Sequence, residues 1–148
     1  MKLPVSETTK EWITSEGFDS ENINKPGKYG DIPLMSACRQ GLVDIASELI
    51  YLGSEVNHRN MDGTSALWAC VVSNRFDLAD KLIHAGANID SQNDNGASVL
   101  MYAASAGKTA WVSYLLQQGA NTQLKSLDDF TALELASNVE CLRLLRAF

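Results

Sequence analysis

Two histidines, His58 and His84, and three cysteines, Cys38, Cys70 and Cys141, are the side chains best suited to acid–base, nucleophilic or metal chemistry. Base catalysis needs a partner held beside the imidazole, and a zinc site needs several ligands at short spacing. Neither histidine has such company in the sequence: His58 falls in a turn and His84 near the end of a polar helix face. The cysteines form no C-x-x-C pair, and Cys38 and Cys70 fall where a compact apolar residue is wanted. Ser105-Ala106-Gly107-Lys108 matches S-x-x-K formally, but Gly107 interrupts the helical turn that motif requires. Ser91-Gln92-Asn93-Asp94-Asn95-Gly96 is a poor calcium loop, with no carboxylate at the first ligand position and Tyr102 where the bidentate Glu belongs. No phosphate-cradling or dinucleotide glycine pattern occurs. These residues argue against catalysis, a metal site or a bound cofactor, and leave an enzyme or metal protein as the weakest alternative.

The bulk properties point the same way. A chain of 148 residues, 45% hydrophobic and 20% charged, is long enough for one domain and too apolar for disorder. The longest apolar run, Ala66 to Val72, falls far short of the roughly 20 residues that span a bilayer. No apolar stretch precedes Glu7 and Lys10, which argues against a secretory leader. An odd number of cysteines without such a leader predicts free thiols in a reducing, cytoplasmic setting. The net charge of −6 disfavours nucleic acid and anionic membrane as partners, because both need a basic footprint.

The elements behind these residues come from an internal repeat. Gly30, Gly63 and Gly96 are 33 residues apart, as are Gly53, Gly86 and Gly119, and Leu34, Leu67, Leu100 and Leu133. Ala37, Cys70, Ala103 and Ala136 keep the same interval, and so do Leu49, Leu82 and Leu115. Several columns with one offset mark a repeat architecture. Each unit reads as two helices. The first opens at Ile32-Pro33-Leu34, Ser65-Ala66-Leu67, Ser98-Val99-Leu100 and Thr131-Ala132-Leu133, where a hydroxyl N-cap or an early Pro suits a helix start. It ends at Gly41, Asn74 and Gly107, residues that accept a left-handed cap. The second carries apolar stripes at Ile45, Leu49 and Ile50; Leu78, Leu82 and Ile83; and Trp111, Leu115 and Leu116. An extended stretch such as Gly86-Ala87-Asn88-Ile89-Asp90 is expected to follow it.

These residues resemble the ankyrin-repeat family over roughly residues 29–148. Asp62-Gly63-Thr64-Ser65-Ala66-Leu67-Trp68-Ala69-Cys70 with Gly86-Ala87-Asn88-Ile89-Asp90 matches the family's turn, first-helix and post-helix motifs, and Asn95 to Ala103 with Gly119-Ala120-Asn121 repeats them. The family's usual His is Met35, Trp68, Met101 and Glu134 here. The resemblance implies an all-α solenoid of helix-turn-helix units joined by short hairpin-like loops. Its expected divisions are a helical cap or half-repeat at 1–28, repeats at 29–60, 61–93 and 94–126, and a truncated capping repeat at 127–148. Within the first cap a short helix is expected over Thr8–Ser15, and residues 16–24 read as a stretched post-helix segment. In the last repeat Asp129 stands in place of the turn glycine.

The resemblance further implies a protein-interaction module (scaffold, adaptor or inhibitor) whose partner meets a concave face; the charge leaves nucleic acid and membrane out as partners, and capped ends let the chain be monomeric by itself. Carried over position by position, that face takes Tyr29, Asp31, Arg39 and Gln40 from the first repeat. Met61, Asp62, Thr64, Val72 and Ser73 come from the second, Asp94, Asn95, Ala97, Ser105 and Ala106 from the third, and Asp128 and Phe130 from the last. Tyr29 and Phe130 have two readings: partner contacts, or packing against the caps, with Phe130 on Leu127. Trp68, Tyr102 and Trp111 read as packing between repeats. A second functional reading is an acidic immunity or inhibitor protein that neutralises a basic enzyme or toxin.

Overall fold

Apolar stripes at helical spacing become helices throughout the computed structural model, which describes residues 5–148. These residues fall into two compact units, one ending at Ala87 and the other spanning Asn88–Phe148. The division lies inside the span expected for the second repeat.

The first unit begins with α1 (Glu7–Ser15), capped by Ser6, whose hydroxyl accepts from the Thr9 amide at 3.3 Å. Two helix pairs follow: α2 (Pro33–Gln40) with α3 (Val43–Tyr51), and α4 (Ala66–Ser73) with α5 (Phe76–His84). The first helices α2 and α4 pack on each other, as do the second helices α3 and α5. Ala37 and Cys70 are fully buried small residues, which allows the close approach of α2 and α4. Leu34, Leu49, Leu67, Leu78 and Leu82 are also buried, each contributing about 1.5–3 kcal/mol by removal from water. Glu48 on α3 holds the cap helix by accepting from the Ser6 amide at 2.9 Å and the Thr9 hydroxyl at 3.2 Å.

The second unit repeats the arrangement with α6 (Val99–Ser105), α7 (Thr109–Gln117), α8 (Ala132–Leu135) and α9 (Val139–Arg146). Here α6 packs on α8 and α7 on α9. Ser98 and Thr131 cap α6 and α8, the latter in a reciprocal capping box with Glu134. Ser65 sits at the corresponding position of α4 but makes no side-chain cap bond. Asn74 takes the left-handed conformation that Gly41 and Gly107 take elsewhere.

The segments after the second helices are turns, not extended strands; among the described residues only an isolated bridge pairs Gln92 with Ser98. The reason is local: the Asn22, Asn88 and Asn121 carboxamides each accept from the amide two residues on, closing a turn. The following polar residue ties one segment to the next. Asn24 donates to the Gly53 carbonyl and accepts from the Glu55 amide, Asn57 donates to the Gly86 carbonyl, and Asp90 accepts from the Asn121 amide. Residues 16–24 thus make the same connections as the later post-helix segments.

Candidate partner-binding site

The turns that precede the first helices are built to one plan. In the first unit the Gly27 amide donates to the Asp31 carbonyl at 2.7 Å and the Asn60 amide to the Thr64 carbonyl at 3.0 Å. In the second unit Asn93 pairs with Ala97 at 2.8 Å and Ser126 with Phe130 at 2.9 Å in the same sense. Asn60 Oδ1 fills its turn by accepting from the amides of Asp62 and Thr64, and Asn93 Oδ1 does so from Asn95 and Ala97. Neighbouring tips are pinned by one bond in each unit, Met61 amide to Tyr29 carbonyl and Leu127 amide to Asn95 carbonyl, both 3.0 Å. That approach leaves no room for side chains at the turn glycines. A Cβ on Gly96 would lie 2.7 Å from the Leu127 nitrogen, and one on Gly30 would lie 3.0 Å from that of Met61.

On this frame the first unit exposes Tyr29 (65%), Met61 (72%) and Val72, with Arg39, Gln40 and Asp62 around them. Tyr29 has φ 63°, a left-handed backbone costly for an aromatic residue, and Lys28 Nζ sits 5.0 Å from its ring centre. Asp31, expected among the contact residues, is instead only 7% exposed. Its carboxylate accepts from Arg39 Nη1 and from Asn60 Nδ2, both at 3.0 Å, so it joins the first tip, the second tip and the end of α2. Burial of a carboxylate is tolerated because both oxygens are bonded. Ser73 and Thr64 also turn inward, the first donating to the Cys38 carbonyl and the second to Asn60 Oδ1. Gln40 bonds Glu16 and Ser36.

In the second unit Asp94, Asn95, Ser105, Ala106 and Asp128 are exposed, and Phe130 is 45% exposed. Leu127, read from sequence only as a platform for Phe130, is 76% exposed. The signal for it was its column: Leu127 occupies the place of Met61. An apolar groove of about 550 Å³, which the repeat columns do not mark, lies on the second helices of the first unit, lined by Ile50, Tyr51, His84 and Ala85. Trp68 and Trp111 are buried, and Tyr102 is half-buried.

The residues weighed for chemistry serve the fold. His58 is largely buried, its Nε2 donating to the Gly30 carbonyl at 2.7 Å and so supporting the first tip. His84 Nδ1 donates to the Asp80 carbonyl at 2.8 Å. Neighbouring Cys38 and burial together push the Cys70 thiol up, which keeps it protonated and a poor nucleophile. Among the described residues no group of three or more His, Cys, Asp or Glu is placed to hold a metal ion. No described helix is long and apolar enough to cross a membrane.

The family model described as ankyrin repeats, in three copies, matches residues 5–93 and 67–147. Among solved structures the chain is similar to the ankyrin repeat domain of Bcl-3, described as a unique member of the IkappaB protein family, at 25% identity and a TM-score of 0.79. The alignment covers 84% of this chain and 55% of that one, so the chain spans about half the length of that structure. No curated protein sequence matches it. Ankyrin repeats are generally protein–protein interaction modules.

Proposed function

We propose, because the chain belongs to the ankyrin-repeat family, that it is a non-enzymatic module that captures a protein partner on the turn tips and first helices of its units. The observation that carries this reading is the exposure of Tyr29, Met61 and Val72 on the first unit and of Phe130 on the second, at positions the core does not require. Large apolar side chains on a rigid backbone are the groups that dominate interface energies. Arg39, Gln40 and Asp62 supply a polar rim in the first unit, and Asp94, Asn95 and Ser105 do so in the second; Thr64 and Ser73, bonded inward, support the first from below. Asp31 supports that surface from beneath. The protein acts as a scaffold, adaptor or inhibitor, as a monomer, in the cytoplasm, where its three free cysteines stay reduced.

The net charge of −6 favours a second reading within the same class, an acidic inhibitor that neutralises a basic enzyme or toxin. The two readings differ in how binding responds to salt, because charge-steered pairing is screened.

The test is calorimetry of the partner recovered from native extract, with the parent chain and with Tyr29→Ser/Met61→Ser. Both positions are exposed, so folding is expected to survive, and affinity is expected to fall about tenfold or more. Unchanged affinity would move the interface off these tips. A Kd that rises steeply with salt would select the inhibitor reading.

A further inference from the structure

We infer that the turn tip of the second unit is the seat of a basic peptide segment carrying one bulky apolar side chain. This rests on the protein-binding reading above and gives it a location and a partner chemistry. Phe130 occupies the position held by Asp31, Thr64 and Ala97 in the other repeats. A small or polar residue satisfies the repeat there, so the phenyl ring is not an architectural need. It nonetheless stays 45% exposed, beside Leu127 at 76%.

Both side chains stand on a locked backbone. The Phe130 amide donates to Ser126 Oγ at 3.2 Å while its carbonyl accepts from the Ser126 amide at 2.9 Å. The Leu127 amide is pinned to the Asn95 carbonyl, with Gly96 packed against it. A backbone already held in place loses little freedom on binding, which favours a docking surface built on it.

The charge around this pair is acidic in balance. Asp128 and Asp129 are exposed between Leu127 and Phe130, and Glu134 is exposed on α8. Lys125, 3.5 Å from Asp129, and Arg146, which lines one cavity with Glu134, offset them in part, and both members of the Lys125–Asp129 pair are more than half exposed to screening water. Phosphate-bearing partners, nucleic acid or anionic lipid, are repelled by such a rim, whereas Lys and Arg are drawn to it. A protein segment with flanking basic residues and a central apolar anchor answers both halves of the surface.

The experiment uses the full chain, labelled with nitrogen-15, and three synthetic peptides. The probe is Gly-Arg-Arg-Trp-Arg-Arg-Gly; in one control Ser replaces Trp, and in the other Glu replaces every Arg. The probe is expected to shift the amides of Asn95 and Leu127 to Phe130, with affinity falling about tenfold between about 50 and 300 mM salt. The Ser peptide should bind about tenfold more weakly, and the Glu peptide should leave these amides unmoved. Leu127→Ser/Phe130→Ser should lose the probe while melting within a few degrees of the parent, and Asp128→Asn/Asp129→Asn should weaken it with the apolar pair intact. Equal binding of the Glu peptide, or no shift at this tip, would overturn the inference. Shifts confined to Tyr29, Met61 and Val72 would also overturn it while leaving the protein-binding reading standing, which the partner calorimetry tests on its own.

Discussion

In the first unit the tips at 27–31 and 60–64 carry Lys28, Tyr29, Met61 and Asp62, whereas the tips at 93–97 and 126–130 of the second carry Asp94, Asn95, Leu127, Asp128, Asp129 and Phe130. The backbone bonds that close and join these turns are the same in both units. One unit sets its apolar side chains among mixed charges and the other among acids. The contrast shows how this architecture separates two tasks. Main-chain geometry fixes the frame, so the side chains at the tips are released from structural duty. The exceptions are Asn60, Asn93 and Ser126, whose side chains close their own turns, and Asp31, buried and bonded to Arg39 and Asn60, where the second unit has Ala97 and Phe130 at the corresponding places.

The sharpest way to break this comparison is at the turn glycines. Gly96→Ala adds a methyl group 2.7 Å from the Leu127 nitrogen and forces a left-handed alanine at φ 75°, so a loss of about 2–4 kcal/mol is expected in the second unit. Gly30→Ala meets Met61 less closely, at 3.0 Å, and is expected to cost less. Denaturant melts with amide exchange read at Leu127 and Met61 rank the two. Equal damage, or none, would mean that the inter-tip bond does not set the frame.

Asp31→Ala comes next, with an expected loss of about 2 kcal/mol, because donors on Arg39 and Asn60 lose their acceptor. A double-mutant cycle with Arg39→Ala should recover part of that loss. Strict additivity would show that the ion pair does not act as a unit.

Two substitutions should raise stability by making each unit resemble its own repeat more closely. Ser54 Oγ is buried with no hydrogen-bond partner, at the position where Ala87 and Ala120 stand. Ser54→Ala is therefore expected to stabilise the first unit by about 1 kcal/mol in a thermal or urea melt. In the second unit Asp129 holds φ 69° in the column of Gly30, Gly63 and Gly96. Relief of that strain by Asp129→Gly should gain a few tenths to about 1 kcal/mol, since the exposed Lys125 pair lost with it contributes little.

The smallest effect is acid sensitivity confined to the first unit. The Arg75 guanidinium, 2.8 Å away, and the Leu78 amide hold the Asp77 carboxyl below its usual range near 3.8. A depressed folded-state pKa means a contribution present above that range and lost as pH falls through and below it. The second unit has Lys108 and Ala110 at these positions and no such pair. Asp77→Asn should flatten the acid limb of the first unit's stability profile slightly and leave the second unit's unchanged.

The 33-residue columns make the helices, their order and most of the core legible in the sequence. The initial helix was legible from its apolar residues, although it begins at Glu7, one residue before the expected Thr8, because Ser6 supplies the cap. The turns after the second helices were misread as extended, since the Asn carboxamides that bend them leave no trace in hydropathy. The contact surface was the least legible part. A tip residue's exposure depends on what the neighbouring tip places against it, as with Asp31, which Arg39 and Asn60 enclose, and Leu127, which nothing covers. Periodicity along a chain reports which face of an element turns inward, and this chain's linear pattern sufficed for that. The fate of each side chain on the outward face, whether bonded like Asp31, strained like Tyr29 or left bare like Leu127 and Phe130, was settled only when distant segments met, because hydrogen bonding and burial are properties of pairs.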